Sequence, residues 1–182
     1  VMVSMTFEQG VSLTGSSPTI FAETMQNMGV AALGTNCSLG PDQMLPVVEE
    51  LLSACSCPVV AEPNAGLPEL RGSETVFPLG PEAFAQKTAA FAARGARVLG
   101  VCCGTTPRHL AALRQALESV SCEDRPLVSP AGICLTSRSQ LLRLGEGQPF
   151  SVIGERINPT GKKDLQAELQ AGEYGLAMRF AS

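Results

Sequence analysis

Three thiols are the first residues in this chain that point to chemistry. Cys102 and Cys103 stand side by side in Gly100-Val101-Cys102-Cys103-Gly104-Thr105-Thr106-Pro107. They lie just past an apolar run that reads as a short buried strand, and just before a helix opened by Pro107. Cys37 holds an equivalent place in Ala32-Leu33-Gly34-Thr35-Asn36-Cys37-Ser38, with Pro41 opening the next helix. Taken alone, the vicinal pair is compatible with two ordinary buried thiols or with a strained vicinal disulfide. A third thiol at a matching strand end shifts the balance toward convergence on one metal ion.

Three sulfurs suit zinc. Thiolates are soft ligands, and a catalytic zinc keeps three protein ligands with a fourth position open. A structural zinc closes with four ligands, often from C-x2-C knuckles, and no such pair occurs here. The single histidine, His109, falls on the helix after the cysteine pair, where it is expected to face solvent. The donor set of Cys37, Cys102 and Cys103 therefore favours an open site. Adjacent ligands need a sharp turn, which Gly104 permits.

The elements that must position these thiols follow a β-loop-α rhythm. Val1 to Phe7 alternates as a strand, and Glu8 to Ser17 reads as a loop. Ser17-Pro18 forms an N-cap and first turn, with Gly29 as the stop. Val30 to Gly34 is a second strand that delivers Cys37. Pro41 to Ala54 is a helix burying Leu45, Val48, Leu51 and Leu52. Pro58 to Ala61 is a third strand that delivers Glu62 and Asn64. Leu67 to Leu79 reads as a loop, and Pro81 to Arg94 as an Ala-rich helix closed by Gly95. Ala96 to Val101 is a fourth strand, and Pro107 to Val120 its helix. Four such units predict a parallel sheet, either doubly wound or part of a (β/α)8 barrel. Polar and thiol residues gather at the C-terminal strand ends, where both folds place their sites. No G-x-G-x-x-G follows the first strand, which disfavours a dinucleotide fold.

Composition narrows the class. The chain has 182 residues, a net charge of −4 and no basic cluster, so neither nucleic acid nor an anionic membrane is an expected partner. No apolar run approaches the roughly 20 residues of a membrane span, and no signal-peptide pattern opens the chain. Seven cysteines in an enzyme-like α/β pattern fit a reducing cytoplasm and metal binding better than a disulfide framework. Cys55, Cys57, Cys122 and Cys134 read as packing or surface thiols.

Several stretches together resemble one family. Gly34-Thr35-Asn36-Cys37-Ser38-Leu39-Gly40-Pro41, Glu62-Pro63-Asn64-Ala65-Gly66 and Gly100 to Pro107 are similar to three signatures of the homocysteine S-methyltransferase domain, of the corrinoid-dependent methionine-forming type. Gly154-Glu155-Arg156-Ile157-Asn158-Pro159-Thr160-Gly161 resembles the opening of the pterin-binding domain that follows it in those enzymes. The resemblance implies that residues 1–120 are the C-terminal half of a TIM barrel. Residues 121–150 would be an interdomain linker with a short strand around Ile133 to Thr136. Residues 151–182 would be the first strand (Ser151 to Gly154) and helix (Lys162 to Ala171) of a second, truncated barrel. Half a barrel leaves unpaired strand edges, so self-association or a longer polypeptide is expected.

The implied activity is methyl transfer to the thiol of homocysteine. Zn2+ would sit on Cys37, Cys102 and Cys103, and cobalamin and methyltetrahydrofolate would act through other modules. Glu8 and Asn64 are candidates for the amino and carboxylate ends of the substrate. The alternatives are a solvated loop carboxylate for Glu8 and a turn residue for Asn64. Asn36 would brace the Cys37 loop. Glu155 and Asn158 match the pterin motif, although an Asn before Pro is equally an N-cap. Two rival functions remain: a related barrel that uses betaine or S-methylmethionine as donor, and a non-catalytic redox protein built on a cysteine cluster.

Overall fold

The computed structural model describes residues 1–122, 132–152, 154 and 157–181. Its centre is a four-stranded sheet, all parallel, formed by β1 (Met2–Met5), β4 (Ala32–Asn36), β5 (Val59–Glu62) and β8 (Val98–Leu99) in that spatial order. Each strand lies beside its predecessor, in the registers Val3 to Leu33, Leu33 to Val59 and Ala61 to Leu99. The strand order never reverses, unlike that of a doubly wound sheet.

Four helices complete the units: α1 (Pro18–Asn27), α2 (Pro41–Ala54), α3 (Pro81–Ala93) and α4 (Pro107–Leu117). Each packs on the next. All four begin with proline at the first turn, where a missing N–H costs nothing. Ser17 caps α1 through the Ile20 N–H at 3.2 Å, as expected, and Gly29 follows its end in the left-handed region. Helix α2 buries Met44, Val47, Val48, Leu51 and Leu52, with Leu45 only partly covered. Each such side chain stabilises by about 1.5–3 kcal/mol when removed from water. The helix-facing side of the sheet supplies Leu33, Val59 and Ala61 to the same core.

The opposite face is different. It carries Met2 and Val98, 59% and 40% exposed, with Gly34 and Val60 between them. A side chain at position 34 would run into the Val60 backbone, so glycine lets the two strands sit side by side there. Among the described residues, β1 and β8 are the sheet edges. The arrangement is a parallel α/β sheet compatible with a partial α/β barrel.

Two stretches read as loops are hairpins instead. β2 (Phe7–Glu8) pairs with β3 (Val11–Ser12) around Gln9-Gly10, both with positive φ, the geometry of a two-residue hairpin turn. β6 (Glu69–Arg71) pairs with β7 (Glu74–Val76) around Gly72-Ser73. These strands are too short for a periodic pattern to mark them. The strand expected around Ile133 to Thr136 is present as β9 (Ile133–Thr136), paired antiparallel with β10 (Leu141–Leu144). This hairpin docks on α1 by Thr24 Oγ1 to Thr136 Oγ1 at 2.8 Å, Ser16 Oγ to the Arg138 carbonyl at 2.6 Å, and an ion pair from Arg143 to the buried Glu23.

The chain divides into two compact units, residues 1–146 and 147–182. In the second, α5 (Lys163–Gln170) and α6 (Gly175–Ala181) are joined by a bond from the Leu176 N–H to Glu168 Oε2 at 2.7 Å. The helix expected at 162–171 is there. The strand expected at 151–154 is not: Ser151, Val152 and Gly154 have no strand pairing, and position 153 lies outside the described residues. A strand needs a neighbour to complete its hydrogen bonds, and the described part of this unit offers none.

Candidate metal centre

Cys37 leaves the end of β4 in a conformation rare for a non-glycine residue. Its φ is 62° and that of Ser38 is 56°. Two successive left-handed residues reverse the chain within a few atoms, at a cost of order 1–3 kcal/mol each. The turn is held by the Cys37 N–H on the Glu62 carbonyl at 3.1 Å and by the Asn64 N–H on the Leu39 carbonyl at 2.9 Å. The vicinal pair is pinned from the same side. The Cys102 N–H donates to the Pro63 carbonyl at 3.0 Å, and the Cys103 N–H to Asn64 Oδ1 at 3.1 Å. The Ala65 N–H returns to the Cys103 carbonyl at 2.9 Å. Gly104 turns the chain away with φ 77°, and a Cβ there would be driven into the Phe77 ring.

These loops bring the three sulfurs to within 4.8 Å of one another. The Sγ of Cys37 is 3.6 Å from that of Cys103, which is 3.9 Å from that of Cys102. A tetrahedral zinc with Zn–S bonds of about 2.3 Å sets its sulfurs about 3.8 Å apart. The donor type and the spacing both fit zinc. All three cysteines are unpaired thiols, so the vicinal-disulfide alternative does not describe this structure.

The metal-free thiols are unequal. The backbone N–H of Ser38 leads the interactions that hold the Cys37 thiol below its ordinary pKa, with Cys103, Cys102 and Asn64 adding to it. Burial pushes Cys102 the other way, up to about 11, and the neighbouring Cys37 reinforces the rise. Cys37 is thus disposed to ionise before Cys102.

The remaining candidates fall in different places. Asn64 is 3% exposed and spends its side-chain oxygen on Cys103. Asn36 joins β4 to β1: its Oδ1 accepts from Ser4 Oγ at 2.6 Å and its carbonyl from Thr6 Oγ1 at 3.0 Å. Glu8, exposed on β2, lines a cleft of about 540 Å³ with Thr6, Gln9 and Ser38, the residue next to Cys37. Asn158 lies in the second unit and accepts the Thr160 N–H at 2.8 Å, a turn across Pro159. Glu155 lies outside the described residues. His109 does not face solvent. It is 6% exposed, lies edge-on to Phe84 with ring centroids 5.5 Å apart, and has both ring nitrogens engaged. The spacing Thr106-x-x-His109 is that of a capping box with His in place of Glu or Gln, a signal present in the sequence.

A family model described as homocysteine S-methyltransferase matches residues 1–117, which contain every strand of the parallel sheet and all three thiols. The chain belongs to the homocysteine S-methyltransferase family. It is also similar to the methionine synthase of Mycobacterium tuberculosis, 31% identical over 173 residues. That likeness covers 94% of this chain but 14% of the relative, so the chain spans about one-seventh of that protein's length. Among the described residues of this family member, no helix is long and apolar enough to cross a membrane.

Proposed function

We propose that this chain is the zinc-binding part of an enzyme that transfers a methyl group to the thiol of homocysteine, giving methionine. The observation that carries this reading is the sulfur triangle of Cys37, Cys102 and Cys103, at separations suited to zinc, within a member of this family. A free alkyl thiol has a pKa near 8.5, so only a few per cent is thiolate at neutral pH. Zinc, when bound, would favour the thiolate of an incoming substrate and present it as the nucleophile.

The chain's own residues set the terms of that chemistry. Three cysteinates carry three negative charges against two on the metal, which leaves an added sulfur electron-rich. The Ser38 N–H stabilises the Cys37 thiolate, and Asn64 fixes the Cys103 backbone. Glu8, which lines the same cleft as Ser38, is suited by charge to the substrate ammonium. Asn36 holds the ends of β4 and β1 together beside that cleft.

The consecutive order of the strands supports assigning the sheet to the second half of an eight-stranded barrel, with the remaining strands supplied by other residues or another chain. The likeness to a methionine synthase runs past residue 117, and this favours a corrinoid donor charged from methyltetrahydrofolate over betaine or S-methylmethionine. On this reading both cofactors act through other modules. Glu155 and Asn158 belong to the start of the pterin-binding domain, and the protein works in the cytoplasm. Calorimetric titration with homocysteine, before and after chelation, tests the assignment. Binding that disappears with the metal and returns with added zinc is expected. Homocysteine binding indifferent to metal removal contradicts it.

A further inference from the structure

We propose that His109 is a positioning residue for the metal loop, closing a ring of hydrogen bonds that fixes Cys103 from α4. The ring can be followed atom by atom. The Thr106 N–H donates to His109 Nδ1 at 3.0 Å. That nitrogen therefore carries a lone pair, and the ring proton sits on Nε2. Nε2–H donates to the Leu79 carbonyl at 3.0 Å. The Leu79 N–H donates to the Ala65 carbonyl at 2.9 Å, and the Ala65 N–H to the Cys103 carbonyl at 2.9 Å. Cys103 then leads through Gly104 and Thr105 back to Thr106. Thr105 Oγ1 closes on the Cys102 carbonyl at 2.6 Å within the same turn.

The consequence is mechanical. Three separate segments, 63–66, 77–80 and 102–106, meet here without being joined in a common sheet. Phe77 abuts Gly104, while Ala65 and Leu79 pack with Phe84 and Leu113 in one apolar cluster. Apolar packing alone fixes position loosely, whereas a cycle of directional bonds fixes register. His109 is the member that reaches both ways from a rigid helix, so its imidazole sets how far the 77–80 segment stands from the turn that bears the ligands. This rests on the zinc reading only for its functional weight, since the ring is defined by protein hydrogen bonds alone.

The test uses His109→Gln and His109→Ala in the purified protein. Gln keeps an acceptor for the Thr106 N–H, as in an ordinary capping box, but cannot span to the Leu79 carbonyl from the same rotamer. In His109→Gln without added metal the amide protons of Ala65 and Leu79 should exchange about five- to tenfold faster, over and above any change at the amides of β4 and α2, with the cooperative fold retained. Zinc affinity, read by competition with a chromogenic chelator, should fall about tenfold. The nitrogen chemical shifts of His109 in wild type should report the Nε2–H tautomer. His109→Ala should lose the cap as well and be less stable; if it does not fold, His109→Gln carries the test. Unchanged exchange at Ala65 and Leu79 in His109→Gln, or the opposite tautomer in wild type, overturns the proposal. Wild-type protein that binds no zinc overturns the metal reading and leaves the exchange result to decide this one.

Discussion

The side-chain oxygen of Asn64 takes the backbone N–H of Cys103 at 3.1 Å, 39 positions away in the chain, from a site almost closed to water. This bond ties the loop after β5 to the vicinal thiol pair after β8. Replacing Asn64 by Ala leaves a donor without its partner beside the thiols. An unsatisfied polar group of this kind costs about 1–3 kcal/mol. Denaturant unfolding of Asn64→Ala should show that loss, and zinc affinity should drop about ten- to a hundredfold. Full zinc affinity in Asn64→Ala would show that the bond does not hold the site.

The unequal thiols give a pH dependence in the metal-free protein. The thiolate is the reactive form, and a lowered pKa places it at lower pH. Cys37 is lowered and Cys102 is raised to about 11. As pH climbs from 6 to 9, iodoacetamide should label Cys37 well before Cys102, as read by peptide mass spectrometry. Equal labelling of the two across that range would contradict the arrangement around Ser38.

Gly104 is fixed by two constraints at once, a positive φ and the Phe77 ring where a Cβ would stand. Gly104→Ala should destabilise by about 2 kcal/mol or more in thermal or denaturant unfolding. Adding Phe77→Ala should recover the steric share and leave the backbone share, so the two changes should couple in a double-mutant cycle. Strict additivity would mean that the ring and the turn do not meet.

Arg143 supplies the partner of Glu23, whose side chain is 2% exposed, while the Arg143 side chain retains 32%. Removing Arg143 leaves the buried Glu23 carboxylate with the Gln26 amide, 3.2 Å from Oε2, in place of a cation. Arg143→Met should cost about 2–3 kcal/mol, below the range for a fully enclosed pair because Arg143 keeps part of its hydration. The unfolding transition of that variant measures it. A loss below about 0.5 kcal/mol would assign the pair to the ordinary surface class.

Much of this could be read from residue order. The prolines that open α1 to α4, the glycines that close α1 and α3 and the apolar runs between mark the β-loop-α units, and Cys37 with Cys102 and Cys103 marks the donor set. The hairpins at Gln9-Gly10 and Gly72-Ser73 were not legible, because strands of two or three residues carry no period to detect. Helical periodicity points His109 to solvent because it does not report a bond to Leu79, contributed by a loop 30 positions earlier. The buried role of Asn64 was hidden for the same reason: Pro63 and Gly66 advertise a turn, while its partner Cys103 is remote in sequence. The left-handed φ at Cys37 and Ser38 has no marker in the stretch 30–42, whose glycines stand at 34 and 40.

The central claim is that the three sulfurs share one divalent ion. Metal analysis of the purified protein by atomic emission, normalised to chain concentration, addresses it most directly. One zinc per chain is predicted in the wild type, with the metal lost in Cys37→Ala, Cys102→Ala and Cys103→Ala alike. Protein that binds no zinc when refolded in its presence, or that keeps a full equivalent after Cys102→Ala, would contradict the account.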